Sequence, residues 1–450
     1  MRIPTLLPRG RVALSAAILL LPGFWPRAVS ADTALLQAAD YDNERTLAEL
    51  LWEHSPDVIE ARQQVGIAGS ELTKARLFPN PQLDAGWNTI PIGRTNPPNL
   101  QDPIGNVPNY TVGISELFEL AKRGPRQAAA AAQLESSRAA AAAVFADRYF
   151  ELLRAVGRIA TAQVREGVLS QQVAEGARLL ALEHARAEKG EVAGMLVDRS
   201  ETEQARLIAA QGAARTELET ARAECGALVA TECPMFDSAD AARRYLRQTA
   251  TAELPAGWST EIEARRPDLS ALGSALRAAD QQVTLAKRQA IPDVTVRFGY
   301  MYDTFVEAGN QRNSLGLGMQ VPLPVFNHGQ AELEAASAAL LRAQRARTAL
   351  VASGRLTLEA GARERDLIAG RVTQLQTALA NADRLRKTME GAAQQGGMSQ
   401  VDVLLARRRY QELMLEGAEL DGDAYDAALK VRQAAALFPR PPVEVEEAKQ

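Results

Sequence analysis

Few residues in this chain are spaced for chemistry. His54, His184 and His328 lie far apart with no ligand spacing, so no metal site is expected. No nucleophile stands beside a base and no glycine loop is built to hold phosphate, which argues against an enzyme and against a bound cofactor. Cys225 and Cys233 are the only cysteines. They are close together in a turn-like segment with Gly226 and Pro234, and read as a local disulfide worth roughly 2–3 kcal/mol, with two inert buried thiols as the alternative. Asp402 stands near the start of a helix, where the helix dipole favours a carboxylate, and Asp198 lies near the start of an earlier one. Gly190, Gly194, Gly396 and Gly397 mark two points where the chain reverses. Arg407, Arg408 and Arg409 read as a solvated helix face, with a patch lining a tunnel or facing a partner as the alternative.

The elements that carry these residues occur twice. Ala286, Lys287, Pro292, Val294, Val296 and Phe298 match Ala75, Arg76, Pro81, Leu83, Ala85 and Trp87 at an offset of 211. Further on, Gly318 and Gly329 answer Gly113 and Gly124 at 205. Offsets this steady indicate a tandem duplication of a unit of roughly 210 residues. Each copy opens with a heptad seam of helices that wrap one another: Val58, Ala61, Val65, Ala68, Leu72 and Ala75, then Leu269, Leu272, Leu276, Ala279, Val283 and Ala286.

Two alternating strands follow in each copy. Leu83, Ala85 and Trp87 oppose Asp84, Gly86 and Asn88, while Tyr110, Val112 and Ile114 oppose Thr111, Gly113 and Ser115. The second copy repeats this over 293–302 and 313–322. About ten residues long, apolar on one side and small or polar on the other, these strands fit a lipid-facing barrel wall around a wet lumen. A half-buried surface sheet would alternate in the same way. Long helices over 122–189 and 330–393 follow, each returning after a turn, over 195–229 and 399–438. At ~1.5 Å per residue the longer ones reach on the order of 95 Å and need partners along most of that length.

Near the start, Arg2, Arg9 and Arg11 precede an apolar run ending in Val29, Ser30 and Ala31, the pattern of a cleaved secretory signal; Pro22, Pro26 and the shortness of the run oppose a membrane anchor. Removing residues 1–31 takes away four arginines and no acid, so 51 basic and 55 acidic residues become 47 and 55. Nucleic acid is therefore not an expected partner. The expected organisation is a signal peptide over 1–31, a first repeat over 32–230, a connecting segment over 231–262 placed partway along the helices, a second repeat over 263–438 and a flexible tail over 439–450.

The chain resembles the TolC family of outer-membrane efflux ducts. At the second turn the resemblance rests on Gly396, Asp402-Val403-Leu404 and Ala406. Leu77-Phe78-Pro79-Asn80-Pro81, followed by Glu119-Leu120-Ala121-Lys122-Arg123, is similar to the branch serving heavy-metal efflux pumps of the CzcC type. The resemblance implies a mainly α protein with membrane β structure. It implies a homotrimer in which four strands from each protomer make one twelve-stranded barrel in outer-membrane lipid, continued by an α-helical tunnel in the periplasm. It also implies a periplasmic adaptor that meets Gly190, Gly194, Gly396 and Gly397, and an inner-membrane pump of the RND type. Asp402 falls where the family places a carboxylate ring that attracts cations at the inner mouth. Leu405 stands where the family often has a second Asp, and Leu196 with Asp198 nearby stands opposite Asp402 in the first copy. The expected function is passive conduction of efflux substrate, divalent heavy-metal cations among the candidates. A periplasmic adaptor or coiled-coil scaffold is the alternative.

Overall fold

The computed structural model describes residues 36–441 apart from 95–97, 99, 254–264, 306–310 and 396. The signal segment, most of the tail, Gly396 and part of the connecting segment thus lie outside the described residues. Helix α1 (Glu44–His54) starts where the Asn43 side chain accepts the Arg45 and Thr46 amides at 3.1 and 3.3 Å. It stops at Ser55, and Pro56, preset for a first helical position, opens α2 (Pro56–Arg76). After strand β1 (Gln82–Asn88) come a short α3 (Pro103–Asn106), β2 (Asn109–Phe118), α4 (Arg123–Glu188) and α5 (Gly194–Val229). Helix α6 (Ala239–Thr251) lies in the connection. The second copy supplies α7 (Pro267–Gln289), β3 (Val294–Asp303), β4 (Asn313–Gln320), α8 (Gln330–Gln394) and α9 (Gln400–Ala434).

The four strands form one antiparallel sheet in the order β1-β2-β3-β4. Below it, α4 packs against α2, α5, α7 and α9, while α8 packs against α7 and α9. At 66 residues, α4 spans roughly 100 Å at ~1.5 Å per residue. In α2 the buried positions Val58, Val65, Ala68 and Ala75 all fall on the seam read from the sequence. In α7 the seam drifts. Leu272, Leu276 and Ala279 are only half-buried, and Ser274 and Ala278 take the buried places. Helix α7 is held between α4 and α8, so a strict seven-residue stripe cannot serve both neighbours.

The apolar core sits partway along the helices rather than under the sheet. Phe145, Tyr149, Phe150 and Ile159 of α4 meet Leu47, Leu51 and Trp52 of α1, Cys225 and Val229 of α5, Leu246 of α6 and Tyr425 and Leu429 of α9. The connecting segment closes this core as a belt. Cys225 and Cys233 are joined in a disulfide, and Gln163 clamps the Phe236 backbone with two hydrogen bonds of 2.7 and 2.9 Å. Asp421 of α9, only 4% exposed, receives Arg247 at 2.8 and 3.1 Å and Arg243 at 3.3 Å, tying α6 to α9. Further along, Leu375 of α8 joins Leu413 and Leu420 of α9 in a second, smaller cluster, while Leu341, Leu356, Leu367 and Leu385 of α8 are exposed.

Candidate functional site: a sheet wall above two hairpin tips

The pairing register sorts the sheet into two faces. Leu83, Ile114, Phe298 and Leu317 form one cross-strand row, Ala85, Val112, Tyr300 and Leu315 the next, and Trp87, Tyr110 and Tyr302 a third, all on one face. Apart from Ala85 and Tyr302 these are large side chains exposed on a single chain. The other face carries Asp84, Gly113, Gly299 and Gly316 in one row and Gln82, Ser115, Arg297 and Gly318 in the next. There the Ser115 hydroxyl donates to Asp84 at 3.0 Å and Arg297 lies 3.6 Å from the same carboxylate. A Cβ on Gly113 would stand 3.0 Å from the Phe298 carbonyl oxygen, so this close approach of backbones favours glycine. Bulk outside and glycine inside favour a sheet that curls with its polar side concave. Among the described residues β1 and β4 pair with no strand on their outer sides. No described helix is long and apolar enough to cross a membrane.

The hairpin tips lie at the far ends of the long helices. At the first, Gly190 takes a φ of +74°, and the amides of Gly190 and Glu191 return to the carbonyls of Ala187 and Arg186 at 2.9 and 3.0 Å. Gly194 opens α5 without positive φ, and Gly397 turns without it as well, its amide reaching Ala392 O at 2.9 Å. Left-handed backbone is therefore the demand at Gly190 alone among the described tip glycines. Ser399 caps α9 through its hydroxyl, which accepts the Val401 amide at 3.2 Å. Asp198 and Asp402 are both exposed within the opening turns of α5 and α9, and neither forms an ion pair among the described residues. Leu196 and Leu405 hold the positions the sequence gives them, half-buried and exposed.

Between the two hairpins, above the tips, lies a cavity of about 560 Å³ bordered by Leu179, Leu182, Leu207, Leu405, Arg386 and Glu390. Glu390 of α8 receives Arg386 at 3.2 Å and Arg407 of α9 at 2.5 Å, so one of the three consecutive arginines bridges two helices. The other two, Arg408 and Arg409, lean on Glu412 of their own helix. Hydrogen bonds from Arg206 hold the Glu203 carboxyl below its ordinary range on the α5 side. The bridges Arg407 to Glu390 and Arg247 to Asp421 have no signal in the sequence, because their partners lie on different helices. Among the described residues no three His, Cys, Asp or Glu side chains are grouped to hold a metal ion.

A sheet apolar on one side, polar on the other, open at both edges and standing on helices of this length defines a segment of a membrane pore wall continued by a helical stalk. Residues 258–437 match the family model described as outer membrane efflux protein. The chain is 25% identical over 372 residues to the cobalt-zinc-cadmium resistance protein CzcC of Cupriavidus metallidurans, covering 80% of this chain and 82% of that one. It is 26% identical over 348 residues to the pyoverdine export outer membrane protein OpmQ of Pseudomonas aeruginosa, covering 73% and 68%. The fold matches the CmeC outer membrane channel of Campylobacter jejuni with a TM-score of 0.72 at 13% identity, over 93% of this chain and 92% of that one. Residues 258–437 carry the outer membrane efflux protein family domain, and the chain has a TolC-like channel fold. It is an outer-membrane efflux channel and not an enzyme, and its family implies a periplasmic adaptor and a pump as partners.

Proposed function

We propose that three copies of this chain close one twelve-stranded barrel and pass divalent heavy-metal cations outward, received from an adaptor and an inner-membrane pump of the RND type. The observation that carries the reading is the sheet. Four strands cannot close a barrel, and an open strand edge cannot face lipid, so β1 and β4 need neighbours. The uncovered leucines of α8 make the same demand on the stalk. The cation class rests on the similarity to the cobalt-zinc-cadmium resistance protein.

The wall needs little chemistry for this task. Glycine, Ser115, Thr111 and Gln82 line the concave face and let hydrated solutes pass, so selection falls to the narrow end. There, Asp402 and Asp198 would be repeated threefold near the inner mouth, drawing cations toward it, and the turns at Gly190, Gly194, Gly396 and Gly397 would meet the adaptor. The test is twofold. The mature protein should fractionate with outer membranes as a heat-sensitive trimer, and cells lacking it should accumulate zinc, cobalt or cadmium. Asp402→Ala together with Asp198→Ala should reduce cation preference in planar bilayers. Recovery of the native protein as a water-soluble monomer would end the reading, and unchanged currents would remove the two carboxylates from it.

A further inference from the structure

The two outer strands end beside apolar segments that stay largely exposed, the Arg123 guanidinium over the Phe78 ring being the one side-chain ring contact described there. Leu77 and Phe78 precede β1; Leu323, Val325 and Phe326 follow β4; all five are between 62% and 92% exposed. In the register of the sheet, the Gln82 end of β1, the Phe118 end of β2, the Val294 end of β3 and the Gln320 end of β4 share one rim, the one nearest the helices. Both apolar segments therefore lie on that rim, at opposite edges.

The middle of the rim shows such a junction when it is filled. Where the chain leaves β2 it meets the entry to β3: the Leu120 amide donates to Asp293 at 3.2 Å, and Lys122 Nζ reaches the other carboxylate oxygen at 2.8 Å. Through the duplication, the exit from β4 corresponds to the exit from β2, and the entry to β1 corresponds to the entry to β3. The join inside one chain is thus a template for a join between chains. Asp293 falls on Gln82, just as Pro292 falls on Pro81. Aligned on Gly124 and Gly329, Leu120 and Lys122 fall on Val325 and Asn327. Strand register gives a second alignment: Asp84 faces Gly113, and its counterpart Thr295 faces Gln320, which moves Leu120 onto Asn327. Either alignment sets residues 325–327 against Gln82.

We propose that residues 323–327 of one copy dock on residues 77–82 of the next, sealing the joint between barrel and stalk at each of three protomer boundaries. This deepens the trimeric reading and rests on it. The contact is head-to-tail, and only a closed rotation uses every edge. Its chemistry differs from the template in one respect: no ion pair like that of Lys122 and Asp293 forms, because Gln82 stands in place of Asp293 and a neutral residue, Asn327 or Gly329 by the two alignments, in place of Lys122, flanked by Phe326 and Phe78. The Arg123 guanidinium lies 3.6 Å from the centre of the Phe78 ring, so the joint is anchored by aromatic side chains with a cation already seated on one of them and no ion pair to form across it.

Disulfide trapping in the assembled protein tests this. Two differently tagged chains, one carrying Gln82→Cys and the other Asn327→Cys, are co-expressed, purified in detergent and oxidised. A mixed-tag dimer is expected, absent when either chain is expressed alone, and the double variant should give a ladder up to three chains. Lys122→Cys with Asp293→Cys should close within one chain and give no ladder. If sedimentation shows a trimer, the template pair closes and the Gln82→Cys and Asn327→Cys pair does not, the docking is overturned and lipid covers the patch instead. If sedimentation shows no trimer, the oligomeric reading itself fails and the docking with it.

Discussion

Gly157→Ala should destabilise the stalk although alanine is the better helix former. Gly157 lies inside α4, opposite Tyr425 of α9, and a Cβ there would stand 2.4 Å from Tyr425 Cε1 and 2.7 Å from Cδ1. The ring cannot swing away freely. It is buried, its hydroxyl donates to Leu153 O at 2.8 Å, and it shares a hydrogen bond of 3.0 Å with Tyr245. Burial pushes the Tyr425 phenol well above its usual range, so it remains a donor. The substitution gains about 1 kcal/mol of helix propensity. Against that, overpacking costs roughly 1–3 kcal/mol, and a ring pushed off Leu153 O leaves a buried hydroxyl at about 1–3 kcal/mol more. The clash wins, by about 1–5 kcal/mol. Thermal loss of the helical circular-dichroism signal in detergent should come several degrees earlier than in the native protein. Gly66→Ala in α2, where a Cβ meets nothing within 4 Å, should leave melting unchanged or raise it. A Gly157→Ala protein that melts at or above the native temperature would refute the packing argument.

Asp421→Ala should loosen the belt by about 1–3 kcal/mol, less than a fully buried pair would lose because Arg247 is half exposed and keeps its water; limited proteolysis between 230 and 253 should quicken, and an unchanged digestion pattern would count against the tie. Cys225→Ser with Cys233→Ser should cost about 2–3 kcal/mol through the freed loop, read as earlier thermal unfolding than in the oxidised protein. Asp147 of α4 has its pKa raised by burial, with Asp268 adding to the shift. A carboxyl raised in the folded state costs stability as pH climbs through the unfolded and then the folded value, and that cost persists above both. Asp147→Asn should therefore stabilise the protein at neutral pH and flatten its pH dependence through the acid range; equal stability of the two proteins at pH 7 would contradict this.

The repeat and the strands were legible because period two and period seven are local patterns that side-chain size alone can write. The glycines of the polar face and the row from Leu83 to Leu317 were readable for that reason. The α7 seam was readable only in part, since Ser274 and Ala278 are buried by the position of α8, which no property of α7 announces. The belt around Tyr425, and the bridges to Asp421 and Glu390, depend on where distant helices come alongside one another. Gly397 looked like Gly190 on the page, yet only Gly190 among the described tip glycines needs left-handed backbone.

The bare face of the sheet bears on how the protein reaches its place. A newly exported copy must travel through water with its greasiest surface and two open strand edges uncovered among the described residues. Exposed edges of this kind pair with one another, so over-production of the protein should yield clumps in the periplasm.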